Sequence, residues 1–80
     1  MSITEYTEML IKNLISDPEM SKVKDFETEE GLIIEILVSE NDMPSIIGKN
    51  GKVANSIKTL IQTKGYLLGI KNVKINIDSF

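Results

Sequence analysis

Hydrophobic positions along this chain repeat first with a helical period, then with a period of two, and then go through the same change again. Ile3, Tyr6, Met9, Leu10 and Leu14 lie at helical spacing and predict a first helix. Ser2-Ile3-Thr4-Glu5 fits a capping box, in which the Ser2 hydroxyl meets an orphan amide and Glu5 reaches back. Asp17-Pro18 is expected to end this helix, because the residue before proline is pushed out of helical geometry. Val23 to Glu27 reads as a strand in which Val23 and Phe26 break strict alternation, as at a bulge or a sheet edge. Glu29-Glu30-Gly31 follows as a hairpin turn. Leu32 to Val38 is the cleanest strand, with Leu32, Ile34, Ile36 and Val38 on one face and Ile33, Glu35 and Leu37 on the other.

The second half opens with Asn41-Asp42-Met43-Pro44. Asn41 suits a helix cap, Asp42 the positive end of the helix dipole, and Pro44 the first turn, where its missing amide costs nothing. This helix is short and ends at Gly48. Beyond Gly51 a longer helix is expected, with Val53, Ile57, Leu60 and Ile61 on its inner face and Lys52, Asn55, Thr59 and Gln62 on its outer face. Gly65 suits its C-terminal cap. Tyr66 to Ile70 reads as an unusually apolar loop, and Val73, Ile75 and Ile77 alternate with Lys74, Asn76 and Asp78 in a last strand. The predicted order is α-β-β-α-α-β, an α+β arrangement without repeats or low-complexity segments.

The chemistry concentrates where the two helices of the second half meet, at Ile46-Ile47-Gly48-Lys49-Asn50-Gly51-Lys52. Two glycines separated by two residues let the backbone turn tightly and come close to something outside the protein. Exposed amides and the Lys49 ammonium suit that something to being a phosphate. A plainer reading makes Gly48 a helix cap and Gly51 the opening of the next turn.

Charge sharpens the picture. The net charge of −3 over 80 residues conceals an asymmetry. Residues 1–42 hold three lysines against eleven carboxylates, a balance of −8, and residues 43–80 hold six lysines against Asp78 alone, a balance of +5. The positive half carries the glycine loop. Arginine is absent, so bidentate forks onto phosphate or guanine are unavailable and lysine point charges must act instead. The length suits one domain, expected to span residues 1–80, and the lack of cysteine removes disulfides and thiolate-bound metal. Nothing resembles a targeting segment, and Glu35 interrupts the longest apolar stretch, so no membrane insertion and a cytoplasmic location are expected.

Element order and loop together resemble the type II KH domain, and most closely the small stand-alone KH proteins of bacteria. The resemblance rests on Asp42-Met43, Ile46-Ile47-Gly48-Lys49-Asn50-Gly51, Lys52-Val53-Ala54 and Ile57-Lys58, and it covers almost the whole chain. The chain departs from the family pattern at Pro44, in its lack of arginine and in its apolar residues 66–70. The resemblance implies a three-stranded mixed sheet with three helices packed on one face. It also implies single-stranded RNA in a groove beside the loop, with phosphates over Gly48 to Gly51 and bases on an aliphatic floor. The residues it assigns to RNA are Ile47, Gly48, Lys49, Asn50, Gly51, Lys52 and Asn55. It further implies pairing, either as a homodimer or as a heterodimer with a larger Jag-type KH protein, and no cofactor.

Two other classes compete. A nucleotide-binding P-loop needs four residues between its glycines and Lys-Ser/Thr after the second, whereas this chain has two and then Lys52-Val53. Without histidine or cysteine the commonest bases, nucleophiles and zinc ligands are missing, so an enzyme is not expected. A KH-fold module acting mainly through dimerisation is the other alternative, and Tyr66, Leu67, Leu68 and Ile70 are its best support.

Overall fold

The strand with the cleanest alternation is also the centre of the molecule. In the computed structural model, which describes residues 1–80, Gly31–Val38 forms β2, the middle strand of a three-stranded sheet. It pairs antiparallel with β1 (Lys22–Thr28) through the Glu29-Glu30 turn, and parallel with β3 (Val73–Ser79). A parallel pair needs a long crossover. Here α2 (Met43–Ile47) and α3 (Lys52–Leu67) supply it, and α1 (Ile3–Lys12) precedes the sheet. The order is therefore α-β-β-α-α-β, with helices on one face of a mixed sheet, the type II KH architecture. Leu32, Ile34, Ile36 and Val38 are buried against Ile3, Ile11, Ile46, Ile57, Ile61 and Ile75.

The capping box forms as expected, with the Ser2 side chain accepting from the Glu5 amide and the Glu5 carboxylate accepting from the Ser2 amide. Helix α1, however, stops at Lys12 and is capped at Asn13, well before Asp17-Pro18. Its buried stripe is also rotated from the expected one. It runs Ile3, Thr7, Ile11 and on to Ile15, while Leu14 and Met9 are exposed. Thr7 can occupy a fully buried site because its hydroxyl donates to the Ile3 carbonyl, so that no polar atom is left unpaired.

No bulge interrupts β1. Its register with β2 is continuous from Lys22 opposite Leu37 to Thr28 opposite Gly31. Alternation fails because Val23 lies on the helix side and Phe26 on the other, at an edge strand where burial is shallow. Asn41 does not cap α2. A single turn of 3-10 helix, Glu40–Asp42, precedes it, and Asp42 stands at the cap position without a capping hydrogen bond. Gly65 is no cap either. It is buried inside α3, where a Cβ would stand 2.6 Å from Val73 Cγ2, so it lets the helix lie close against β3. The helix continues through Tyr66 and Leu67, which are its last residues and not part of a loop. Its buried face is Ala54, Ile57, Ile61 and Gly65, and Leu60, expected inside, is 46% exposed. Lys64 sits 5.7 Å from the Tyr6 ring centroid, a cation–π contact linking α3 to α1.

Candidate nucleic-acid interface

Asp42 anchors the start of α2, the helix that leads into the glycine loop. Its carboxylate, only 3% exposed, accepts from the Ser16 amide at 2.9 Å, the Ser16 hydroxyl at 2.7 Å, the Asp17 amide at 3.2 Å and the Ser39 hydroxyl at 3.1 Å. These bonds, the Ser16 amide first, hold the Asp42 carboxyl below the usual aspartate range against the opposing effect of burial. The segment after α1 is thereby tied to the turn that starts α2.

Helix α2 lasts five residues and ends where the Gly48 amide donates to the Pro44 carbonyl at 2.9 Å. Gly48 then takes φ +73° and ψ −178°, a conformation open to glycine alone. A Cβ there would also stand 2.3 Å from Val53 Cγ2, so the loop presses directly on the start of α3. Asn50 (φ 58°) and Gly51 (φ 74°) are both left-handed, which turns the chain through Lys49–Gly51 and into Lys52. The N-terminus of α3 has no side-chain cap, so the first-turn amides of a 16-residue helix have no side-chain partner. Lys49 and Lys52 are exposed and belong to no ion pair, since the one salt bridge in the chain joins Lys12 to Glu8.

An apolar groove of about 400 Å³ opens beside this loop, between α1 and α3. Lys52, Val53, Ser56, Ile57 and Leu60 form the α3 wall, and Leu10, Asn13 and Leu14 form the other. The residues singled out from the sequence therefore separate into groups. Gly48, Lys49, Asn50 and Gly51 form one tight turn, and Lys52 bridges that turn and the groove. Ile47 is partly exposed at the end of α2, and Asn55 is exposed on α3 without lining the groove. Of Ile47, Val53 and Ile57, the aliphatic residues nearest the loop that suit a floor for bases, Val53 and Ile57 line the groove, although Ile57 is largely core, and Ile47 does not.

Leu10, Asn13, Leu14, Ser56 and Leu60 were missed as groove residues. The signal was present in the width of the pattern. Ile3, Ile11 and Ile15 already fill one helical stripe, so Leu10 and Leu14 make a second stripe facing something else. No three His, Cys, Asp or Glu side chains are grouped so as to hold a metal ion, and no helix is long and apolar enough to cross a membrane.

Comparison with known proteins places this geometry. The sequence model described as "KhpA/KhpB, KH domain" matches residues 4–77. The chain is 38% identical to the RNA-binding protein KhpA of Clostridium perfringens over 58 residues, which cover 72% of this chain and 77% of that protein. It is 30% identical to the RNA-binding protein KhpA of Chlamydia trachomatis over 74 residues, covering 92% of this chain and 91% of that one. Among solved structures, Era in complex with MgGDPNP and nucleotides 1506–1542 of 16S ribosomal RNA superposes with a TM-score of 0.71 at 25% identity. That match covers 98% of this chain but only 30% of the Era chain.

Proposed function

The chain belongs to the KhpA/KhpB family of KH domains, and on that premise we propose that it binds single-stranded RNA at the glycine loop, as a post-transcriptional regulator or RNA chaperone in the cytoplasm. A KH domain is a binding module and the chain is not an enzyme. On this reading residues 1–80 act as one module, with no cofactor. Phosphates pass over Gly48, Lys49, Asn50 and Gly51, met by loop and helix amides and by the Lys49 and Lys52 ammonium groups. Ile47 and Asn55 flank that path, and bases turn into the groove between Leu10, Leu14 and Val53. The observation that carries the reading is the continuity of an unpaired basic turn, an uncapped helix start and an apolar groove at Lys52. Pairing with a second copy, or with a larger Jag-type (KhpB-type) KH protein, is part of the same proposal.

The experiment is fluorescence anisotropy with single-stranded and duplex RNA over a salt series. Single strands should bind more tightly, because duplex readers span two minor grooves and this surface is too small for that. Lysine contacts to about 2–3 phosphates give a log–log salt slope of about −1.5 to −2. Equal or tighter binding of duplex, or binding indifferent to salt, would refute the proposal.

A further inference from the structure

The groove beside the glycine loop is apolar along most of its lining, and the few polar atoms it offers are mostly acceptors. Asn13 on the α1 side and Ser56 on α3 are the uncharged polar residues among its leucine, isoleucine and valine side chains. Both are already partly engaged. Asn13 Nδ2 donates to the Met9 carbonyl at 2.6 Å, which fixes the orientation of the amide, since only its nitrogen can face a carbonyl. That bond leaves Oδ1 free to accept and one N–H free to donate. The Ser56 hydroxyl donates its only hydrogen to the Lys52 carbonyl at 2.9 Å, so toward a ligand it can only accept.

The backbone of the α1 wall has the same bias. The Leu14 amide donates to the Ile11 carbonyl and the Asn13 amide to Met9, so the Leu10 carbonyl in the last turn has no helical donor. This end of the ten-residue helix also carries the negative pole of its dipole. Lys52 is the one charged residue in the lining, and it stands at the loop end, on the proposed phosphate path.

A base that fits this groove has apolar faces and donors at its edge. An exocyclic amino group supplies two N–H bonds, one for Asn13 Oδ1 and one for Ser56 Oγ. The free Asn13 N–H then donates to the neighbouring ring nitrogen, N3 of cytosine or N1 of adenine, a bidentate match of the kind by which Asn reads adenine. Uracil carries a carbonyl oxygen, O4, at that place. Asn13 can still pair with O4 and N3–H, but Ser56 then loses its bond and sets oxygen against oxygen. Asn13 therefore orients the edge, and Ser56 discriminates.

We propose that the groove selects a base by its amino group, taking cytosine or adenine in preference to uracil, with Asn13 and Ser56 as the residues that determine the choice. The proposal deepens the RNA-binding reading and rests on it.

Cytosine and uracil share one ring and nearly one size. Oligocytidine and oligouridine of about four nucleotides, the stretch a KH loop clamps, therefore isolate the base edge from stacking and burial. In anisotropy the parent chain should bind oligocytidine at least about fivefold more tightly, the lower end of what one well-read base edge is worth. In Asn13→Ala with Ser56→Ala that preference should disappear. Equal affinity in the parent chain, or tighter binding of oligouridine, overturns the proposal and leaves RNA binding at the loop intact. So does a preference that survives undiminished in the folded variant, which would place the reading of the amino group elsewhere. Absence of binding to either oligomer removes the loop reading and this proposal together. Unchanged binding of both oligomers in Lys49→Asp with Asn50→Asp, with the preference intact, supports the groove and removes the loop reading alone. Should the alanine variant fail to fold, an oligomer of zebularine, which is cytidine without its amino group, decides on the parent chain. A loss of at least about fivefold against oligocytidine supports the proposal, and equal affinity overturns it.

Discussion

Gly48 and its two neighbours divide the work of the loop between shape and charge. Gly48 admits no side chain, because its φ is +73° and Val53 Cγ2 lies 2.3 Å from where a Cβ would stand. Lys49 and Asn50 are exposed and touch nothing the core needs. Lys49→Asp with Asn50→Asp therefore replaces attraction by repulsion where phosphates are proposed to pass, while surface changes of this kind alter stability by less than about 0.5 kcal/mol each. RNA affinity should fall at least about tenfold, or about 1.4 kcal/mol. Circular dichroism and melting run beside the titration, and unchanged affinity in a folded variant would reduce the loop to a connector. The glycine spacing was legible because a positive φ and a close approach leave few choices of residue. Leu10 and Leu14 read as core because the buried Thr7 hides the Ile3, Thr7, Ile11 and Ile15 stripe from a purely hydrophobic pattern, and only the excess width of that pattern marks them as a second face.

Helix α2 is too short to orient itself. An isolated helix of five residues is far below the length that is stable in water, so its direction must come from packing and from the bonds behind it. Asp42 supplies the latter by tying Ser16 and Asp17 to its start. Since the folded-state pKa of Asp42 lies below its unfolded value, its contribution is complete above the ordinary aspartate pKa of about 3.9 and is lost as pH falls from there through the lower folded value. Asp42→Asn should melt earlier than the parent chain at pH 7, because its NH2 group must face either the Ser16 or the Asp17 backbone amide, neither of which can accept. The two melting curves should converge as the parent is acidified through that window. Parallel curves down to the acid limit would show that Asp42 does not hold the joint. This bond set was hidden at the level of sequence, where Asp42 reads as a dipole partner and its bonding partners Ser16 and Asp17 lie 26 and 25 residues away. The same distance problem hid the role of Gly65, whose reason is β3 across the core rather than a helix end. Strand β2 and the order of elements were legible because a period of two over Leu32–Val38 depends on no distant residue.

Across the whole molecule, α3 separates two kinds of surface. Lys52 stands at its start beside the loop, and Tyr66 and Leu67, 82% and 72% exposed, stand at its end. A 16-residue helix spans about 24 Å, so an assembly contact at the far end leaves the proposed RNA path open. Leu68 extends the apolar end, and large exposed apolar groups clustered on a small domain mark interaction surfaces. We expect self-association, or association with a larger KH protein, at micromolar concentrations, seated on Tyr66, Leu67 and Leu68. Salt distinguishes this contact from RNA binding. Two copies of a chain with net charge −3 repel each other, so added salt screens the repulsion and should strengthen an apolar seam, whereas it weakens lysine–phosphate contacts. Sedimentation over a concentration series at low and high salt, with Tyr66→Ser and Leu67→Lys as the disrupting pair, measures the first effect. Association that tightens with salt, is abolished in the variant, and leaves affinity for a short oligouridine unchanged would place assembly at this end of the helix. A monomer at every concentration, with no partner recovered in pull-downs, would instead leave Tyr66 and Leu67 as exposed residues without a role in assembly, and the chain would have to hold RNA as a single copy.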